Sequence, residues 1–111
     1  MKMKNVSQAK AVENFPGVIR RTLAYNDEAM LCHFKLKKGA GLPLHKHRAT
    51  QIGFILRGKT RFLAEKPEDE FEAEVGQSYV FSKFVVHGLT ALEETEYIEV
   101  FVPVRDEYKD F

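Results

Sequence analysis

Short runs of Val, Ile, Phe, Tyr and Thr, alternating with polar residues and separated by turn-forming residues, recur along most of the chain. A period of two is the signature of strands with one buried face, and helical periodicity is weak throughout. Val18 to Tyr25 and Ala29 to Leu36 flank Asn26-Asp27-Glu28 and predict a hairpin. Gly39, Gly41 and Pro43 then punctuate the chain before His45. Further strands are predicted at Gln51 to Arg57 and Thr60 to Glu65, which meet at a turn on Gly58. After the charged, solvated loop Lys66-Pro67-Glu68-Asp69-Glu70 come Phe71 to Glu74, Ser78 to Phe81, His87 to Leu92 and Thr95 to Val102. Eight or nine antiparallel strands in about 90 residues predict an all-β jelly roll. No repeat or linker interrupts them, so the expected organisation is an N-terminal arm (1–14), one domain (15–105) and a C-terminal tail (106–111).

Composition narrows the function classes. A length of 111 residues suits one domain, and 44% hydrophobic with 30% charged residues excludes disordered and fibrous classes. Seventeen basic against 16 acidic residues give a net charge of +1, so neither nucleic acid nor an anionic membrane is an expected partner. Cys32 is the only cysteine, which excludes an intrachain disulfide and a thiolate-rich zinc site. The first residues lack an apolar leader segment, and no run of about 18 apolar residues occurs; a soluble, cytoplasmic protein is the expectation.

Chemistry is concentrated in the histidines. His45 and His47 are two apart, so an extended strand turns both rings to one face. Gln51 follows after an even interval, and an unbroken strand would keep its amide oxygen on that face as a third ligand. His87, on another predicted strand, would close the set around one divalent transition metal. Histidines also serve as ordinary core or surface residues. His33 alternates with Lys35 and Lys37, opposite Met30, Cys32, Phe34 and Leu36, and reads as part of a polar face; Cys32 reads as a small core residue.

Gly39, His45, His47, Gln51 and Gly58 have the spacing of the first cupin motif, with Gln where most of that superfamily carries Glu. Gly76 and His87 keep the separation of the second motif, while Ser82, Phe84 and Ala91 stand where proline, glycine and asparagine are usual. The chain thus resembles a small single-domain cupin, and the resemblance implies a double-stranded β-helix barrel with one metal held by His45, His47, Gln51 and His87. Those four ligands are all neutral, so the full divalent charge stays on the metal and strengthens it as a Lewis acid. Zn, Ni, Mn, Fe and Co all remain compatible with such a set, and the absence of a carboxylate argues mildly against oxygen activation.

In the strand Thr95 to Val102, Tyr97, Glu99 and Phe101 share one face and Ile98, Val100 and Val102 the other. Glu99, Phe101 and Arg105 offer a proton carrier, an aromatic wall and a planar cation, a set suited to an acidic sugar and equally found as solvated or core residues. Glu99-x-Phe101-x-x-x-Arg105 after the His-x-His-x-x-x-Gln motif is similar to the KdgF family of pectin and alginate breakdown, with Glu99 in place of the usual Asp. That resemblance implies opening of 4,5-unsaturated monouronates to keto acids, with Glu99 and Arg105 catalytic and Phe101 and Arg105 binding substrate. Other expectations for such a barrel are a small dioxygenase or isomerase, and a non-catalytic sugar- or metal-sensing module. With Gln51 and Glu99 turned inward, Ile52, Phe54, Leu56, Ile98, Val100 and Val102 form apolar rows outside the barrel, which predicts a homodimer.

Overall fold

The computed structural model describes residues 1–109 and contains ten strands: β1 (Ala11–Phe15), β2 (Val18–Tyr25), β3 (Met30–Leu36), β4 (Gly41–His45), β5 (Thr50–Arg57), β6 (Lys59–Leu63), β7 (Phe71–Glu74), β8 (Ser78–Phe81), β9 (His87–Ala91) and β10 (Thr95–Val102). They form two antiparallel sheets, ordered β1-β2-β3-β10-β5-β8 and β4-β9-β6-β7. Apart from β1-β2, β2-β3 and β6-β7, strands adjacent in a sheet are distant in sequence, the crossed-over arrangement of a jelly roll. Alternation decides what lies between the sheets. Tyr97, Glu99 and Phe101 point inward and are buried, whereas Val102 is exposed; Gln51, Gly53 and Ile55 likewise alternate with exposed Ile52, Phe54 and Leu56.

Val18, Met30, Cys32, Phe34, Leu36, Ile55, Phe62 and Tyr97 belong to the buried core. Phe34 stacks on Tyr97 with ring centroids 5.0 Å apart, and Phe62 packs on Tyr79 at 4.4 Å. Burying one such aromatic side chain contributes roughly 2–3 kcal/mol. Burial raises the Cys32 thiol to about 11, so it is an unreactive core group at neutral pH. His33 lies on the polar face and pairs with Glu96 at 3.3 Å.

Two strands were not anticipated. Residues 11–14, expected as part of an arm, form most of β1, which pairs with β2 at the sheet edge. Its mostly exposed residues carry little of the alternation that marks buried strands. Gly41 and Pro43, read as punctuation, lie within β4, itself an edge strand where a missing N–H is tolerated. Within the expected tail, Asp106–Tyr108 form one turn of 3-10 helix, and residues 110 and 111 lie outside the described residues. The peptide bond between Val102 and Pro103 is cis.

Gly58 alone connects β5 to β6, at φ +84°. A Cβ there would lie 2.1 Å from the Glu94 carbonyl oxygen, so both conformation and space demand glycine. Gly58→Ala should lower stability by roughly 1–3 kcal/mol, read as a lower urea midpoint; an unchanged midpoint would refute the constraint.

Candidate metal centre

Antiparallel pairing of β4 with β9 sets His45 directly opposite His87. Their ring centroids are 4.4 Å apart, and that of His47 lies 5.1 Å from His87 and 5.7 Å from His45. One ligand atom from each ring falls within 4.8 Å of the other two. The route to this cluster differs from the expected one. The strand is not unbroken: β4 ends at His45, residues 46–49 form a bend, and β5 begins at Thr50. His47 is therefore placed by a loop, which the Phe84 N–H ties down by donating to the His47 carbonyl at 2.8 Å.

Hydrogen bonds fix the tautomers of two rings. His45 Nδ1 donates to the Pro43 carbonyl and His87 Nδ1 to the Val85 carbonyl, each at 2.8 Å. A carbonyl only accepts, so Nδ1 carries the proton and the neutral ring keeps its lone pair on Nε2. Phe81 stacks on His87 at 4.6 Å with planes 8° apart and holds that ring in place. Burial lowers His87 to about 4 and lowers His47 as well, with the Arg105 charge adding to the effect on both. Both are neutral at pH 7, the form that ligates metal.

The residues fit a metal on two independent observations. His87 Nε2 is buried with no hydrogen-bond partner among the described residues, an arrangement that is unfavourable unless a positive ligand meets the lone pair. His47 Nε2 and Gln51 Oε1 face each other at 3.0 Å. Two donors each about 2.1 Å from one ion and at right angles stand about this far apart. Gln51 enters from β5, and its other amide end donates to Glu99 Oε2 at 2.5 Å.

Glu99 is 3% exposed, and its Oε2 also accepts from the Tyr79 hydroxyl at 2.6 Å. Burial pushes its carboxyl up to about 7, although both hydrogen bonds and the Arg105 charge pull it down. Phe101, fully buried, sets its ring edge-on to His47 at 5.9 Å. Arg105 reaches the same side of the barrel, its guanidinium 4.1 Å from the Tyr108 ring centroid and 5.2 Å from that of Phe101. Its Nε donates to Glu107 at 2.6 Å. A cavity of about 430 Å³ is bordered by His47, Arg48, Arg105 and Lys109 and by the acidic Asp27, Asp106 and Glu107. The fold thus brings His45, His47, Gln51 and His87 together, with Glu99 and Phe101 behind them and Arg105 at the cavity wall.

Sequence reasoning missed Tyr79 and Arg48. Tyr79 shares the alternation of its strand with Phe81, but only the pairing of β8 with β5 brings it to the site. Arg48 directly follows His47, a signal that spacing offered and that was not used.

The cupin domain family matches residues 32–102. Among solved structures, an RmlC-like cupin from Shewanella frigidimarina is 22% identical, with 98% of this chain and 96% of that one covered and a TM-score of 0.89. The structure of KdgF from Halomonas sp. is 24% identical, with coverages of 98% and 99% and a TM-score of 0.88. The polyketide cyclase RemF from Streptomyces resistomycificus is 19% identical, with coverages of 95% and 80% and a TM-score of 0.78. No match to a curated protein sequence is found. At these identities structural likeness speaks for the fold, whereas the domain match covers well over half of the residues, and by that match the chain belongs to the cupin family.

Proposed function

We propose that the protein is a metal-dependent enzyme that opens 4,5-unsaturated monouronates to linear keto acids. The observation that carries this reading is that His47, one of the three clustered histidines, and Arg105 border the same cavity. A small acid needs such a pair of anchors, and the chain's net charge of +1 supplies no wider attraction. His45, His47, Gln51 and His87 would hold one divalent metal, whose chemistry when bound is that of a Lewis acid polarising a substrate oxygen. The likeness to KdgF from Halomonas sp. supports the same substrate class.

Arg105 pairs with the uronate carboxylate through its planar fork, and Tyr108 and Glu107 hold that fork in place. Arg48 adds a second cation to the rim. Phe101 forms an apolar wall beside His47 and excludes water there. Glu99, buried behind Gln51 with a carboxyl near 7, would act as the reservoir for the proton that carbon 4 gains while a water oxygen bonds carbon 5. The proton released by that water returns to Glu99. The resulting hemiketal opens as its hydroxyl proton passes to the ring oxygen and the bond between carbon 5 and that oxygen breaks, which leaves a ketone at carbon 5.

The working form is a homodimer. Cross-strand register joins Ile52 to Val80 and Val100, and Phe54 to Ile98, in one continuous apolar patch on the outer face of the larger sheet. Ile52 is 51%, Phe54 40% and Val80 60% exposed, more apolar surface than an isolated sheet face leaves in water without consequence. A second copy of the same patch is self-complementary.

The His87→Ala variant should lose more than about 100-fold in metal affinity, since even indirect ligand supports are worth 10–100-fold; metal analysis after equilibrium dialysis checks this, and full retention would break the four-ligand centre. Metal-loaded protein should accelerate loss of the unsaturated chromophore of galacturonate- or mannuronate-derived monouronates. Arg105→Ala should lower kcat/KM by roughly 10- to 100-fold, as expected for a charged hydrogen bond. An unchanged chromophore rate with wild-type protein rules the activity out, and oxygen uptake by iron-loaded protein would favour a dioxygenase instead. Light scattering should give a dimer at micromolar concentration and a monomer for Phe54→Glu.

A further inference from the structure

Gln51 is an ambiguous ligand. Its amide has an oxygen that can bind a metal and a nitrogen that cannot, and the two ends are nearly the same shape. A glutamate at this position would have no such problem, since its two oxygens are equivalent. Something must hold the amide the right way round. The side chain's surroundings hold both ends: Nε2 donates to Glu99 Oε2, and Oε1 lies within hydrogen-bond distance of His47 Nε2, the ring atom that would turn to the metal once a metal takes the place of that bond.

The carboxylate is itself held. Tyr79 donates its hydroxyl to the same Oε2, so two donors converge on one oxygen. The support crosses three strands in one row, because pairing sets Gly53 of β5 opposite both Glu99 of β10 and Tyr79 of β8. The Tyr79 ring passes over Gly53 to reach Glu99. A Cβ on Gly53 would lie 2.2 Å from Tyr79 Cζ and 2.3 Å from its hydroxyl oxygen. The missing side chain at 53 is therefore a requirement of the contact.

We propose that Tyr79 and Glu99, seated across Gly53, are positioning residues that turn the Gln51 oxygen toward the histidines and place a carboxylate one hydrogen bond behind an otherwise neutral ligand set. Supports of this kind fix a ligand's orientation and raise its basicity. The inference rests on the metal centre proposed above and not on the uronate substrate.

Co²⁺ is the probe, with affinity read by calorimetry and ligand geometry by the visible absorption of the bound ion. Glu99→Leu, Tyr79→Phe and Gly53→Ala should each weaken Co²⁺ binding by about 10-fold or more, although none removes a metal ligand. The deciding measurement repeats Glu99→Leu in a Gln51→Glu background, where a symmetric carboxylate needs no orienting. There the substitution should cause no loss, and the non-additivity is the signature of positioning. An equal loss in both backgrounds would make Glu99 a packing residue only and overturn the inference. So would wild-type affinity and spectrum in Glu99→Leu. If wild-type protein itself takes up no Co²⁺, the metal centre fails and this inference with it; if Co²⁺ binds as expected but no uronate is opened, only the substrate reading fails.

Discussion

The pairing of β5 with β10 is the constraint on which the site depends. It sets Gln51 opposite Phe101, Gly53 opposite Glu99 and Ile55 opposite Tyr97, with all six turned between the sheets. A slip of one residue would carry every inward group to the outer face. Gln51 would leave the histidines, and the Ile52 and Phe54 row would enter the barrel. The register is secured where it is most needed, since hydrophobic burial at Ile55, Tyr97 and Phe101 favours the same alignment as the polar contact between Gln51 and Glu99.

The site joins groups that arrive by different routes. His45 and His87 meet through strand pairing, His47 through a bend, and Gln51 through the opposing sheet. Neutral rings and a neutral amide face the candidate metal position, while the Glu99 carboxylate sits behind Gln51 and not among the histidines. Charge of opposite sign stands on the cavity side as Arg48 and Arg105. Asp27, Asp106 and Glu107 share that wall, and Glu107 is bonded to Arg105, so the cations there act at short range and not as a broad field.

Period-two alternation made most of the fold legible before any coordinates. It located β2, β7, β8 and β10 at their observed bounds and gave the inward face of β5 and β10. It failed for β1, whose residues are exposed and carry no clear pattern, and for β4, where Gly41 and Pro43 obscured a strand. The clustering of His45, His47 and His87 was legible because two motifs fix their spacing, even though the bend at residues 46–49 defeats the strand argument offered for it. What stayed hidden was everything set by long-range register. Nothing in the local sequence around Ser78 to Phe81 shows that Tyr79 will lie over Gly53 and bond to Glu99.

Phe84 stands where the cupin motif usually has glycine, and it keeps the glycine conformation at φ +62°. A side chain in that region is strained by about 1–3 kcal/mol, while the hydrogen bond it makes to the His47 carbonyl returns only about 1 kcal/mol. The clasp between the two motif loops is thus close to energetic balance. With its ring 57% exposed, Phe84 also gains little from burial. Backbone strain at this clasp is thus confined to the loops that place His47, apart from the strands that carry His45, Gln51 and His87.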